Sequence, residues 1–260
     1  MEVIVQPTPD DVARVAADVV ADTVARRPGA VLGLATGSSP LGVYAELARR
    51  VAAGELDPSG VTAFALDEYV GLPPGHPQGY AAVVAREVTG PLRLDPARVH
   101  VPDGGAADLE AAAEEYERAI AAAGGVDVQL LGIGANGHVG FNEPTSSFGS
   151  RTRIKTLTER TRADNARFFA SPGEVPLHCL TQGLGTILAA RRLLLVAQGE
   201  AKAGAVAAAV EGPLTSMCPA SALQLHPRAT VVVDEAAASR LTLLDHYRHV
   251  HAAKPAWQRP

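Results

Sequence analysis

Short, mostly apolar runs separated by helix-length segments constrain this chain more than any other feature. Residues 30–35 are continuously apolar rather than alternating, and 61–66, 126–133, 193–197 and 230–233 are further mostly apolar strand candidates, with Asp127 and Gln129 the polar exceptions in 126–133. A strand with that pattern has both faces covered, as happens in parallel sheets whose crossovers are helices. The intervening segments carry helix signals. Thr8-Pro9-Asp10-Asp11 supplies a hydroxyl cap, a proline at the first helical position and early acids. Val12, Val15, Ala16, Val19, Val20 and Val24 then keep one apolar face until Pro28-Gly29 ends it. Residues 107–123 (ADLEAAAEEYERAIAAA) read as the clearest helix. Further helices are expected from 36–40 to about 51, near 78–88, 181–190 and 201–210, and from about 235. Strands separated by helices imply an α/β fold: a three-layer α/β/α sandwich with a mostly parallel, Rossmann-like sheet. No Gly/Ser/Pro linker divides the chain, so one domain over residues 1–260 is expected, with a candidate mobile lid around 155–180.

Composition removes several function classes. Lys and Arg number 23 against 28 Asp and Glu, a net charge of −5, so no basic footprint for nucleic acid is present. Aromatic residues make up 4%, too few for base-stacking platforms. No apolar stretch reaches the roughly 18 residues of a membrane helix, and the N-terminus lacks the basic region of a secretory signal. Cys179 and Cys218 are too few for a disulfide framework, which fits a reducing cytoplasm. Arginine outnumbers lysine 20 to 3, which reads first as codon bias. The rarity still draws attention to any lysine in a motif.

In doubly wound sheets ligands bind beyond the carboxyl ends of the strands. Here those ends carry TGSSP, LDEY and GANGH, so three polar clusters are expected on one sheet edge. Thr36, Gly37, Ser38 and Ser39 join a strand to a helix, where small residues and a helix N-terminus suit phosphate; an ordinary cap at Ser39 is the alternative. The loop is neither a Walker loop nor GxGxxG, so no nucleotide cofactor follows. Asp67 and Glu68 point to opposite faces of an extended chain, so at most one faces the crevice, as base, metal ligand or cap. In LLGIGANGHVGFNEP (130–144) a glycine-rich loop can bring His138 to Glu143, the pairing that proton shuttling requires; a structural histidine is the competing reading. No further ligands at metal spacing lie nearby. Residues 151–169 carry Arg151, Arg153, Lys155, Arg160, Arg162 and Arg167, either as a solvated face or for recognition of an anionic small molecule. Lys202, opening a helix, is a second anion candidate.

ATGSSPLGVYAEL (35–47), FALDEYVGLPPGHPQGY (64–80), the long segment 130–169 and AVEGPLTSMCPASALQLHP (209–227) together resemble the glucosamine-6-phosphate deaminase family over most of the chain. The resemblance implies a cofactor-free aldose–ketose isomerisation of a small sugar phosphate coupled to amine loss. By motif position it implies that Asp67 moves the proton between C2 and C1. His138, oriented by Glu143, would carry protons in opening the pyranose. Thr36 to Ser39, Arg167 and Lys202 would hold the phosphate. Where the best-known members have an aspartate two residues before the histidine, this chain has Asn136, which can bond the imidazole but carries no charge. Allosteric members bind an N-acetylated sugar phosphate at a subunit interface through residues matching Ser147, Arg153 and Lys155, which makes a homo-oligomer one candidate state for this chain. The C-terminal HAAKPAWQRP does not resemble the segment that completes that site, so weak or absent activation is expected. Related 6-phosphogluconolactonases share the fold and histidine loop, but LDEY and the NEP after the histidine favour the deaminase. A non-catalytic sugar-phosphate-binding module could dispense with Asp67.

Overall fold

The structure, a computed structural model, describes residues 1–255. Its first half runs β1 (Glu2–Gln6), α1 (Pro9–Arg26), β2 (Val31–Leu34), α2 (Leu41–Ala52), β3 (Thr62–Ala65), β4 (Asp67–Tyr69), α3 (Tyr80–Val84), β5 (Val99–His100), α4 (Leu109–Ala122) and β6 (Val128–Leu131). The second half runs β7 (Arg153–Thr156), α5 (Glu159–Asn165), β8 (His178–Thr181), α6 (Leu184–Leu188), β9 (Leu193–Ala197), α7 (Ala203–Val210), β10 (Ala229–Asp234), α8 (Glu235–Ala238) and α9 (Leu244–Ala252).

Seven strands form one sheet in the order β1-β10-β9-β6-β2-β3-β5, and every pairing in it is parallel. β2, β6, β9 and β10 are buried at every position, so successive side chains on both faces are covered. The helices supply that cover. α1 buries Val12, Ala16, Val19, Val20 and Val24, and Thr8 caps it by accepting from the Asp11 amide at 3.2 Å. Such a cap is worth about 1 kcal/mol. The α/β architecture and parallel sheet expected from the pattern are therefore present.

The strand order reverses between β2 and β6. From β2 the chain moves to β3 on one side, and from β6 it moves to β9 on the other. The loops leaving β2 and β6 diverge and leave a crevice between them, the place where ligands enter such sheets. Residues 36–39 and 132–143 occupy those loops.

A second sheet, β4-β8-β7, is antiparallel and was not expected. The helix expected near 181–190 is present as α6, Leu184–Leu188, and starts after Gly183 because β8 runs to Thr181. The edge strand β1 and the two-residue β5 were also not anticipated, and the helix from 235 divides into α8 and α9. Of HAAKPAWQRP, residues 256–260 lie outside the described residues.

Glu117 on α4 ties the start of β7 to the body of the protein. Its Oε1 accepts from the Thr152 amide at 2.8 Å, Thr152 Oγ1 at 2.5 Å and Thr186 Oγ1 at 2.5 Å, and its Oε2 accepts from Arg151. Burial pushes the carboxyl up, but these donors and Arg151 outweigh it and hold the pKa below the usual value. Glu117→Ala removes all four contacts and leaves a buried amide without its partner. We expect a loss of about 2–3 kcal/mol by urea denaturation; a change under 0.5 kcal/mol would contradict the clamp.

Candidate active site

Residues from the loops after β2, β3 and β6 and from α5 and its extension line one cleft of about 340 Å³. Thr36, Gly37, Ser38 and Ser39 form one wall. Tyr44 fixes the start of this loop: its hydroxyl accepts from the Ala35 amide at 3.1 Å and donates to the Ala35 carbonyl at 2.9 Å. Gly37 has φ +90°, and a Cβ there would meet nothing within 4 Å, so conformation rather than space demands glycine. The expected alternative of a cap at Ser39 fails. Pro40 occupies the N-cap of α2 with no side-chain bond, which leaves the serine hydroxyls to the cleft.

Lys202 and Arg167 line the same cleft. Lys202 Nζ donates to the Ile133 carbonyl at 2.7 Å, which places the ammonium beside the β6 loop. Burial lowers its pKa, Asp164 opposes that shift and Arg167 adds to it. The Arg167 guanidinium stacks over Phe168 at 4.7 Å. Gln198 Nε2 donates to the Ser39 carbonyl at 3.3 Å and joins the two sides of this cationic end.

Asp67 and Glu68 separate as their alternation requires. Asp67 lines the cleft and is 4% exposed. Burial, reinforced by Glu68 and opposed by a hydrogen bond from Thr181, pushes its pKa up to about 8. Glu68 turns away and accepts from the amides of Tyr69, Tyr80 and Ala81 at 2.7, 2.8 and 2.8 Å, so it anchors the start of α3.

His138, Asn136 and Glu143 form a chain of hydrogen bonds. Asn136 Nδ2 donates to Glu143 Oε2 at 2.7 Å. The amide oxygen therefore faces His138 Nδ1, also at 2.7 Å, and an oxygen can only accept. The imidazole proton sits on Nδ1, and Nε2 is left as an acceptor. Burial lowers the histidine pKa, Glu143 works against it, Lys202 lowers it further and Asp164 raises it, with the net shift downward. A neutral imidazole with a free Nε2 is the form that can take a proton. Direct contact with Glu143 is looser, at 3.7 Å, so Asn136 is the bridge. The ring lies over Gly134, where any Cβ would come within 2.4 Å of it.

Glu143 Oε1 accepts from Thr158 Oγ1 at 3.2 Å and from Thr161 Oγ1. Thr158 is also the N-cap of α5. These threonines were not singled out in the sequence, although the T-x-x-T spacing before a charged helix could have marked the cap. Tyr69, Tyr80, Arg86, Glu87, Asp164, Asn165, Phe168 and Phe169 also line the cleft.

Of the basic segment 151–169, Arg167 reaches the cleft. Arg151 pairs with Glu117, and Arg162 donates to the Val175 carbonyl at 2.9 Å. Arg153 turns inward to Asn142 Oδ1 at 2.8 Å and Ser146 Oγ at 3.4 Å. Ser147 is exposed and accepts from the Gly149 amide. Lys155 lies on β7 opposite Cys179. The fold thus brings Asp67, Asn136, His138, Glu143, Arg167, Lys202 and residues 36–39 together, and does not bring Ser147, Arg153 or Lys155 to them. Among the described residues no group of three or more His, Cys, Asp or Glu could hold a metal ion.

Comparison with known proteins agrees with this architecture. Residues 7–233 match the family of glucosamine-6-phosphate isomerases and 6-phosphogluconolactonase. The chain belongs to this family. A glucosamine-6-phosphate deaminase from Pseudarthrobacter chlorophenolicus is 60% identical over 258 residues, 99% of each chain. A solved structure of a monomeric glucosamine-6-phosphate deaminase superimposes with a TM-score of 0.90 at 44% identity, covering 92% of this chain and 100% of that one. The 6-phosphogluconolactonase from Trypanosoma brucei shares the fold, with a TM-score of 0.73 at 18% identity over 93% of this chain and 98% of its own.

Proposed function

We propose that this family member is a glucosamine-6-phosphate deaminase, which takes glucosamine 6-phosphate and water to fructose 6-phosphate and ammonia. The observation that carries the reading is a buried carboxyl, Asp67, facing the same cleft as a histidine whose Nε2 is free and as the cations Lys202 and Arg167. His138 Nε2 takes the O1 proton and returns a proton to O5 as the pyranose opens. Asp67 removes the C2 proton as O1 takes up a proton, giving an enediol-like C1–C2 enolamine, and returns the proton to C1 on the same face as the nitrogen lone pair forms the C2 iminium. The C2 iminium that results is hydrolysed, releasing ammonia. Each positioned proton-transfer group supplies about 10²–10⁴-fold. The phosphate lies far from the reacting carbons, so its binding orients the sugar. Residues 1–260 then act as one unit, and the segment around 155–180 covers the cleft through Thr161, Asp164, Asn165, Arg167 and Phe169. The free thiols of Cys179 and Cys218 support a reducing, cytoplasmic setting. Ammonia release from glucosamine 6-phosphate by purified protein tests the reading, and no release would end it.

A further expectation concerns the cationic end. Arg167→Ala and Lys202→Ala each remove one charged phosphate contact, worth about 1.5–3 kcal/mol. KM should rise tenfold or more while kcat falls less. Equal use of unphosphorylated glucosamine by the unaltered enzyme would defeat the assignment.

A further inference from the structure

Helix α5 crosses the cleft with its inner face fixed at two points. Thr161 Oγ1 donates to Glu143, and Asn165 Nδ2 donates to Tyr69 Oη at 3.0 Å. Residues three and four apart share a helix face. Asp164, three after Thr161 and next to Asn165, therefore lies between the two anchors and lines the cleft together with Lys202, Arg167 and His138. Among the described residues it makes no ion pair within 4.0 Å and no side-chain hydrogen bond. It is exposed and has no part in the proton transfers above. Its charge nonetheless acts on the site, working to raise the pKa of both Lys202 and His138. A carboxylate facing the cations that would hold a phosphate carries the same sign of charge as that phosphate.

We propose that Asp164 is an internal counter-anion that competes with the substrate's phosphate for Lys202 and Arg167 and so sets the affinity of the cleft for sugar phosphates. The inference rests on assigning those two cations to the phosphate, and is independent of the deaminase chemistry. In the ligand-free cleft Asp164 offsets the ammonium of Lys202, whose charge burial makes costly, and shares the cleft with the exposed guanidinium of Arg167. With a phosphate bound, the carboxylate and the phosphate repel across the same cations, which weakens binding and speeds departure of the phosphorylated product. The anchors at Thr161 and Asn165 keep the carboxylate from swinging away from the cleft.

The test is calorimetric titration of inorganic phosphate into the wild type, Asp164→Asn and Asp164→Glu at low salt. Asparagine keeps the shape and removes the charge. Asp164→Asn should bind phosphate about threefold to tenfold more tightly, the size of one partly screened charge interaction. Asp164→Glu should stay within about twofold of the wild type. At about 0.5 M salt, where screening acts over a few ångström, the gain should shrink. Adding Lys202→Ala to Asp164→Asn should remove it. With glucosamine 6-phosphate the gain should appear as a lower KM rather than a higher kcat. Phosphate binding that is unchanged or weaker in Asp164→Asn overturns the proposal, as does a gain indifferent to salt or to Lys202. If phosphate binding responds as stated but the wild type releases no ammonia, the deaminase reading fails and the counter-anion stands. The reverse pair of results separates them the other way.

Discussion

Asp67→Asn should abolish exchange of the C2 proton of glucosamine 6-phosphate with solvent deuterium while leaving the sugar phosphate bound. Asparagine preserves the shape of a side chain that is 4% exposed, so the cleft keeps its form and its cations. What disappears is the group able to accept a proton. NMR of the substrate in D₂O reads the exchange directly, and turnover should fall by about 10²–10⁴-fold. Full exchange in the variant would remove Asp67 from the role. The same residue sets the pH dependence. Its carboxyl is pushed up from 3.8 to about 8, chiefly by burial, and only the ionised form is a base. The kcat/KM of the free enzyme should therefore rise with pH through about 8 and flatten above it. Stability carries the opposite sign. A folded-state pKa above the unfolded one means that the folded protein holds its proton where the unfolded chain has lost it. Stability from this group is full below about 3.8 and is lost progressively as pH rises to about 8. Asp67→Asn should consequently raise Tm at pH 8 relative to the wild type and change it little at pH 4. A variant that is inactive but more heat-stable at alkaline pH would be the signature of a buried catalytic base.

The parts of this arrangement that were legible from the sequence are those written in runs of consecutive residues. The strands behind β2, β3, β6, β9 and β10 showed as apolar stretches because both their faces are buried. Since the order of a parallel sheet puts strand ends on one edge, the clusters TGSSP, LDEY and GANGH converged as expected. The small sheet was illegible for the converse reason. β7 reads Arg-Ile-Lys-Thr, with Ile154 45% exposed, and its partner β8 lies a long connection away, so neither alternation nor a turn announces the pairing. The basic segment does not show where Arg153 points, and its guanidinium reaches back to Asn142, a residue buried in the histidine loop. Charge alone says nothing about which way a long side chain turns. Thr158 and Thr161 escaped notice because their importance comes from Glu143, which is far from them in the chain and touches them only after folding.

Ring opening should fail separately from proton transfer when the histidine chain is altered. His138→Asn removes the Nε2 acceptor, so turnover of the cyclic sugar should drop by about 10²–10⁴-fold. Exchange at C2 should persist on whatever open-chain aldehyde forms spontaneously, because Asp67 lies on a different loop and is untouched. Loss of both activities together would mean that one group serves both steps. Asn136 sharpens the test. Its amide passes the influence of Glu143 to the imidazole through two bonds of 2.7 Å, so Asn136→Ala should orient the ring less well and cost about tenfold. Asn136→Asp, the residue of the best-known family members, should not be a gain here. It would replace the donor to Glu143 Oε2 with a carboxylate oxygen at 2.7 Å, and two carboxylates at that distance must share a proton. The charge that aspartate would bring to His138 is then cancelled by protonation of the pair. Near neutral pH Asn136→Asp should match or fall below the wild type. Its activity should also gain a new pH dependence from the shared proton, which pH profiles of the two enzymes measured side by side would reveal. An Asn136→Asp enzyme markedly faster than wild type, with an unchanged profile, would show that Glu143 is not held by Asn136 as the geometry implies.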